Sequence, residues 1–532
     1  MKRTIALLAC IILCSPASRA AAAPDREMVI LVQPFEGTGD PLYSWVAAGV
    51  SDSVVADLER FKGITVVSDA ERRKAVRELE LVQAGLLREQ SAQLVAKLTG
   101  ADMIFTGSCQ VSGGSVRVIA TLTGVKTQRV ERSFKMDGSV QEIFALQDKI
   151  VLELMGETRS LSLPQVKAPA VSAEEMKRLV AAPRPSLGAY ELYAKGRLAA
   201  NTSVREALAL YRRALELEPD YLAALIAAAD TAGGSLNLFD EAIGYAERAE
   251  IVFQDRSETE TARFAAFMVT VGLIYNERGK YVKDVLPRAL GYCEKARALY
   301  DRLGMQNTAA YASMLVNTGI VLGQMGRFDE SREWCTRAGD LYAALGQSET
   351  TNYAATLIDK GYVYQYTRRP KMALEEYNRA KGIYEKLSLR NSPGYAAILG
   401  NMGLCLMSLF NNKDAQKFLL KSKEIRDAHG LTNFIHYAGL LTNIGLTYYR
   451  MSDNDRALEY FRQSSALYEK LGLADNYGLG ENWYHIAAAL EDKGEKDKAG
   501  EYYRKAYDFF VKINYNEPIK EKARGRAEGL GH

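Results

Sequence analysis

The chain has 532 residues, 48% hydrophobic and 25% charged, which excludes a disordered chain and is too long for one ordinary domain. Its formal charge of +3 disappears when residues 1–20 are set aside, because Lys2, Arg3 and Arg19 lie there with no acid. The neutral remainder has no general electrostatic attraction for nucleic acid or an anionic membrane.

Residues 1–20 read as a secretory signal: Lys2 and Arg3, then the apolar stretch Ile5 to Leu13, then small residues at Ser18 and Ala20. Leu7-Leu8-Ala9-Cys10 resembles a bacterial lipobox, but the apolar run before Cys10 is shorter than such signals use, which argues against a lipid anchor there. The expected location is therefore the periplasm, with outer-membrane association as a variant. No later segment is apolar enough for a transmembrane span.

An α/β domain is expected over 25–157. Met28 to Val32 reads as a buried strand, and Gly37-Thr38-Gly39-Asp40-Pro41 as a turn with Asp40 capping a helix that Pro41 begins. Leu42, Trp45, Val46, Gly49, Val50 and Leu58 keep helical spacing. Ile64 to Val67 predicts a second strand and Asp69 to Leu98 a long helical stretch. Met103 to Thr106, Val116 to Leu122 and Val130 to Met136 predict three more strands, and Val140 to Leu154 a closing helix. The order β-α-β-α-β-β-β-α implies one mixed sheet with helices against it.

The blocks "VILVQPFEGTGDPLYSWVAAGVSDSVVADLERFKGITVVS", "LTGADMIFTGSCQVSGGSVRVIATLTG" and "EIFALQDKIV" together resemble the TolB amino-terminal domain, a fold shared with curli- and flagellar-type outer-membrane assembly proteins. The resemblance covers residues 28 to about 155 and implies an envelope-associated, protein-binding role. TolB itself continues into a β-propeller, and this chain does not.

Residues 158–186 form a proline-rich linker, with Pro164, Pro169, Pro183 and Pro185, read as a semi-rigid spacer interrupted by a short helix from Ala173 to Leu179. Beyond it the sequence repeats. Gly319, Gly361, Gly403, Gly445 and Ala487 stand 42 residues apart. Four residues before each is Leu315, Leu357, Leu399, Leu441 or Trp483, and twelve after is Ser331, Ala373, Ala415, Ala457 or Ala499. Twenty-three after stands Tyr342, Tyr384, Tyr468 or Phe510; Arg426 breaks that series, with Ile425 placed to fill the space. Each unit is then two helices, small residues letting them approach and large ones filling between. The pattern is similar to tetratricopeptide (TPR) motifs in the 42-residue form of kinesin-light-chain-like arrays. About eight repeats are expected over 187–514, with 515–532 as a charged capping tail. Gly346, Gly430 and Gly472 are expected helix stops.

Two residues before each small landmark stands Asn317, Asp359, Asn401, Asn443 or His485. At about 100° per residue this position points away from the paired helix, towards the inner groove of a stacked array. An amide both donates and accepts, so such a row can pair with the main chain of an extended peptide whatever its side chains. These five are the candidate partner-binding residues, and the row resembles the asparagine ladder of long TPR superhelices. Tyr311, Tyr353, Tyr395 and Tyr437 recur eight residues before the landmark and are read as packing against the previous repeat.

The four cysteines beyond the signal, Cys109, Cys293, Cys335 and Cys405, are too few for a disulfide framework and read as buried thiols. His429, His436, His485 and His532 show no metal-ligand spacing, and no nucleophile elbow or dinucleotide fingerprint is present. No metal, cofactor or catalysis is expected. The expected function is an exported protein-binding scaffold of the bacterial cell envelope, gripping a partner peptide in the TPR groove. The alternative is a structural subunit of an outer-membrane or secretion-type assembly, with the α/β domain oligomerising.

Overall fold

A computed structural model describes residues 27–61, 63–80, 88–158, 171–200, 203–236, 238–279, 282–432, 435–471, 476–513 and 518–530. The expected signal, Cys10 and Gly472 lie outside the described residues.

The amino-terminal unit runs β1 (Met28–Val32), β2 (Glu36–Gly39), α1 (Trp45–Leu58), β3 (Ile64–Val66), α2 (Asp69–Glu80) and α3 (Arg88–Thr99). It continues β4 (Met103–Ser112), β5 (Ser115–Gly124), β6 (Val130–Ser139) and α4 (Ile143–Thr158). The sheet order is β3-β1-β4-β5-β6, with β2 also on β4. β1 pairs parallel with β3 and with β4, and β4-β5-β6 is an antiparallel meander. The period of two sorts the strands. Met28, Ile30 and Val32 share a core with α1 and α4, whereas Val29 and Leu31 face α2 and α3.

One expectation is corrected here. Glu36 to Gly39 is a parallel strand and not a turn, registered Gly37 to Cys109 and Gly39 to Val111. β4 runs past the end of β1, and its exposed edge recruits the segment despite poor intrinsic preference. Gly39 is required: its φ is +100°, and a Cβ would lie 2.0 Å from the Val111 carbonyl oxygen. The helix start survives one step later, where Asp40 accepts from the Leu42 N–H at 3.0 Å and Pro41 opens a single 3₁₀ turn before α1.

α5 (Ala173–Val180) opens with a capping box from Ser172 and Glu175. The described part of the proline-rich stretch is packed and holds nothing apart. Val171 and Leu179 are buried in the common core, and Arg184 engages Asp148 of α4.

Eight helix pairs follow among the described residues. They are α6 (Leu187–Ala199) with α7 (Val204–Leu217), α8 (Leu222–Asp230) with α9 (Phe239–Asp255), and α10 (Ala262–Gly279) with α11 (Leu286–Arg302). Next come α12 (Ala309–Gln324) with α13 (Phe328–Ala344), α14 (Thr351–Tyr366) with α15 (Pro370–Lys386), and α16 (Pro393–Ser408) with α17 (Asn412–Ala428). α18 (Ile435–Arg450) with α19 (Asn454–Lys470) and α20 (Tyr477–Asp492) with α21 (Lys496–Lys512) complete them. α22 (Pro518–Leu530) buries Ala523 and Ala527 on the last pair.

The landmark glycines act by close approach. A Cβ on Gly361 would sit 2.5 Å from the Tyr377 ring, on Gly445 2.6 Å from Phe461, and on Gly403 2.6 Å from Leu419. Each glycine therefore holds the place into which the large residue sixteen positions later inserts. Ile425, and not Arg426, fills the core where the aromatic series breaks. Thr308, Thr350 and Ser392 cap α12, α14 and α16 by accepting from the N–H of Tyr311, Tyr353 and Tyr395. The hydroxyls of Tyr311 and Tyr395 then donate to Asp301 and Glu385 of the preceding helix, both at 2.9 Å, fixing each repeat to the one before.

Candidate functional site

The first helix of each pair carries the ladder position on the inner strip of the solenoid. In the first pair that strip is Tyr190, Ala194 and Arg197 of α6, around the landmark Gly196 that accommodates the Tyr211 ring. It is occupied by α1. The Tyr190 ring meets Trp45 edge-on, 5.7 Å between centroids, and its hydroxyl accepts from Gln147 of α4. Gly49 lets this happen, since a Cβ there would lie 2.5 Å from the Tyr190 hydroxyl. Arg197 engages Asp52 of α1 and lies 2.9 Å from Asp69 of α2. Two carboxylates surround one buried guanidinium, which holds the Asp69 carboxyl well below the usual range despite its burial.

Four pairs later the same strip is occupied by α2 and the end of α3. Asn352 of α14 donates to Glu71 at 3.0 Å, and Thr351 donates to the Leu98 carbonyl at 3.1 Å. Gln347 donates to the Gly100 carbonyl at 3.3 Å. Glu78 caps α16 by accepting from the Gly394 N–H at 3.1 Å, a carboxylate placed where the helix dipole favours it. Arg73 reaches Asp230 at the end of α8 at 3.0 Å. The α/β domain therefore lies within the groove from α6 to the start of α16. Its apolar cores are continuous with those of the repeats.

This occupancy divides the five predicted residues. All are half-buried. Asp359 faces the α/β domain: burial pushes its carboxyl up to about 7, with Lys74 of α2 working in the opposite direction. His485 is packed, its ring stacked on Phe461 at 5.4 Å and edge-on to Tyr484 at 5.7 Å, and burial pulls its imidazole down to about 4. It is neutral at physiological pH. Asn317, Asn401 and Asn443 make no hydrogen bond among the described residues, and no buried atom of theirs is left unsatisfied. Their amides keep some contact with solvent. Asn401 and Asn443 lie on α16 and α18, past the end of the domain's footprint.

Sequence reasoning missed three aromatics beside them. Tyr362 and Tyr366 lie three and seven residues after Asp359, on the same strip, and are 51% and 61% exposed. The Tyr366 ring meets Phe328 at a tilt, 4.6 Å between centroids, and lies 6.0 Å from Tyr362. Tyr477 of α20, 51% exposed, is close enough to interact electrostatically with both. The available signal was their spacing from the ladder position. The open part of the groove thus presents amides on α16 and α18 between aromatic hydroxyl-bearing walls on α14 and α20. Among the described residues no cluster of His, Cys, Asp or Glu could hold a metal, and no helix is long and apolar enough to cross a membrane.

The tetratricopeptide repeat family matches residues 310–386 and 437–510. The chain carries tetratricopeptide repeats. Among solved structures, BtubC (BKLC) from P. vanneervenii is 20% identical, covering 44% of this chain and 94% of its own, with a TM-score of 0.38. A putative kinesin light chain of nearly identical TPR-like repeats from Podosopora anserina is 15% identical over 39% of this chain and 99% of its own, with a TM-score of 0.34. The MamA protein is 18% identical over 40% of this chain and 98% of its own, with a TM-score of 0.29. No curated protein matches the chain. TPR arrays are protein–protein interaction scaffolds, and this chain is built as one.

Proposed function

We propose that the protein is an exported, non-catalytic scaffold of the bacterial cell envelope that holds an extended partner segment in the open part of its groove, between α14 and α20. The observation that carries this reading is the pair of half-buried amides of Asn401 and Asn443, in phase on neighbouring repeats and without hydrogen-bond partners among the described residues. Asparagine is a mediocre helix former, so its recurrence there needs a reason beyond the helix. Exposed Tyr362, Tyr366 and Tyr477 add large, rigid contact area at small entropic cost. The α/β domain serves as a fixed filling for the first part of the groove, narrowing the site to the later repeats. The signal-like start and the TolB-type resemblance support the envelope assignment.

The test is photo-crosslinking in intact cells, with the reactive residue at Asn401 or Asn443 and, for comparison, at exposed Lys417 on α17. A discrete adduct from the groove positions alone is expected, and Asn401→Ala with Asn443→Ala should weaken recovery of that partner without lowering Tm. Equal adducts from Lys417, or unchanged recovery by the double variant, would remove the groove from the account.

A further inference from the structure

A second site lies at the filled end of the groove, away from its open part, where α1, the Pro183–Pro185 segment and the first helix pairs meet. It is a cavity of about 110 Å³. A cavity of roughly 150 Å³ holds benzene, so this one suits a ligand of about six heavy atoms or fewer. One wall is largely apolar, from Phe144, Tyr221 and Leu222. The other is lined by Arg60, Arg184, Arg256 and Arg263 together with Asp57.

These charges are gathered but only loosely paired. The Asp57 side chain is 3% exposed, yet its Oδ2 makes no hydrogen bond. Its guanidinium neighbours stand at 3.6 Å (Arg184) and 3.7 Å (Arg60), beyond hydrogen-bond range. The Nε groups of Arg60 and Arg184 are buried without an acceptor. Arg263 meets Glu258 at 4.0 Å, and Arg256 gives one hydrogen bond to the Asp220 carbonyl. Buried charges are costly unless closely paired and hydrogen-bonded, so a cavity whose ion pairs are loose, with unsatisfied atoms of both signs, gains from a ligand that completes them.

The chemistry of the orphans selects the ligand. The carboxylates around the site also include Glu218, which accepts from the Ser186 N–H, Asp148, engaged by Arg184, and Glu59 near Arg263. Acids and guanidinium groups are therefore close to balance, and a simple anion or cation would upset it. A zwitterion does not. Its carboxylate matches the planar fork of arginine, and its ammonium supplies the donors that a buried carboxylate lacks.

We propose that this cavity binds a small free amino acid, its carboxylate held by Arg256 and Arg263, its ammonium by Asp57, and its side chain against Tyr221 and Phe144. Because the walls come from the α/β domain, the proline-rich segment and the repeats, occupancy strengthens the packing of the domain on α6 to α10.

The test is thermal unfolding and calorimetric titration of the full mature chain with L-alanine, and with alaninamide and propionate, which each lack one of the two charges. L-Alanine, or glycine in its place, should raise Tm saturably, while both single-charge analogues should not. Arg263→Gln should weaken binding by at least about tenfold through loss of a charge-assisted contact. Arg256→Gln, on the outer wall, should do likewise and is read if Arg263→Gln fails to fold. No shift with either amino acid would mean that the cavity holds only water. Equal shifts with alaninamide or propionate, or binding indifferent to a folded arginine variant, would equally overturn the proposal.

Discussion

Asp359 offers the sharpest check on the energetics of the filled groove. Its carboxyl titrates near 3.8 when free and at about 7 in the folded protein, because burial opposes its charge more than Lys74 favours it. The folded state therefore holds a proton that the unfolded state has released between these two values. Stability is unaffected below pH 3.8, falls as pH rises towards 7, and stays reduced above it. The full difference corresponds to about 4 kcal/mol for a wholly desolvated group. Asp359 keeps partial contact with solvent, so about half of that is expected. Asp359→Asn, which fixes the neutral form, should thus be nearly silent at pH 4 and raise Tm by a few degrees at pH 8. Lys74→Met should steepen the wild-type loss with pH, and Asp359→Asn should cancel that effect, since the two groups act on each other. Thermal unfolding of wild type, the two single variants and the double variant from pH 4 to 8 reads all of this. A pH-independent difference between Asp359→Asn and wild type would refute the burial argument, and additive effects would mean that Lys74 does not face Asp359.

Other expectations follow from packing. Gly49→Ala places a methyl against the pinned Tyr190 ring and should cost about 1–3 kcal/mol in chemical denaturation. Gly382→Ala, in the body of α15 with nothing within 4 Å of the added carbon, should stabilise by about 0.5–1 kcal/mol; the opposite order would contradict the described α1–α6 contact. The four cysteines among the described residues are free and buried, with burial pushing Cys293 up to about 11 and Cys109 and Cys405 up to about 12. They should resist a thiol reagent at pH 8 until denaturant is added. Rapid labelling of Cys109 in the native protein would mean that the sheet core is open.

The repeats were legible because the same physical requirement recurs five times in one phase. Gly361 opposite Tyr377 and Gly445 opposite Phe461 are packing pairs that sequence spacing exposes directly. Most of the sheet was legible too, since Met28 to Val32 and Val116 to Leu122 are ordinary strand sequences. β2 was not, because Glu-Gly-Thr-Gly has no strand preference and forms one only on the overhanging edge of β4. The filling of the groove was not legible. Spacing puts Asn401 and Asn443 at the same step of α16 and α18, but no pattern in Asp359 foretells Lys74 opposite it, or in Tyr190 that Trp45 lies against it. Contacts between residues far apart in the chain leave no local period. Gly49 was counted as one step of a helical stripe, although its small size serves an aromatic from another domain.

The central claim is that the chain's own α/β domain fills the first part of the TPR groove, leaving the later repeats to a partner. The direct test is a short bismaleimide crosslink between Glu71→Cys of α2 and Asn352→Cys of α14, whose native side chains are hydrogen-bonded at 3.0 Å. The account predicts near-complete crosslinking within one chain, at a rate independent of protein concentration. Two thiols that label separately, or join only between chains, would contradict it.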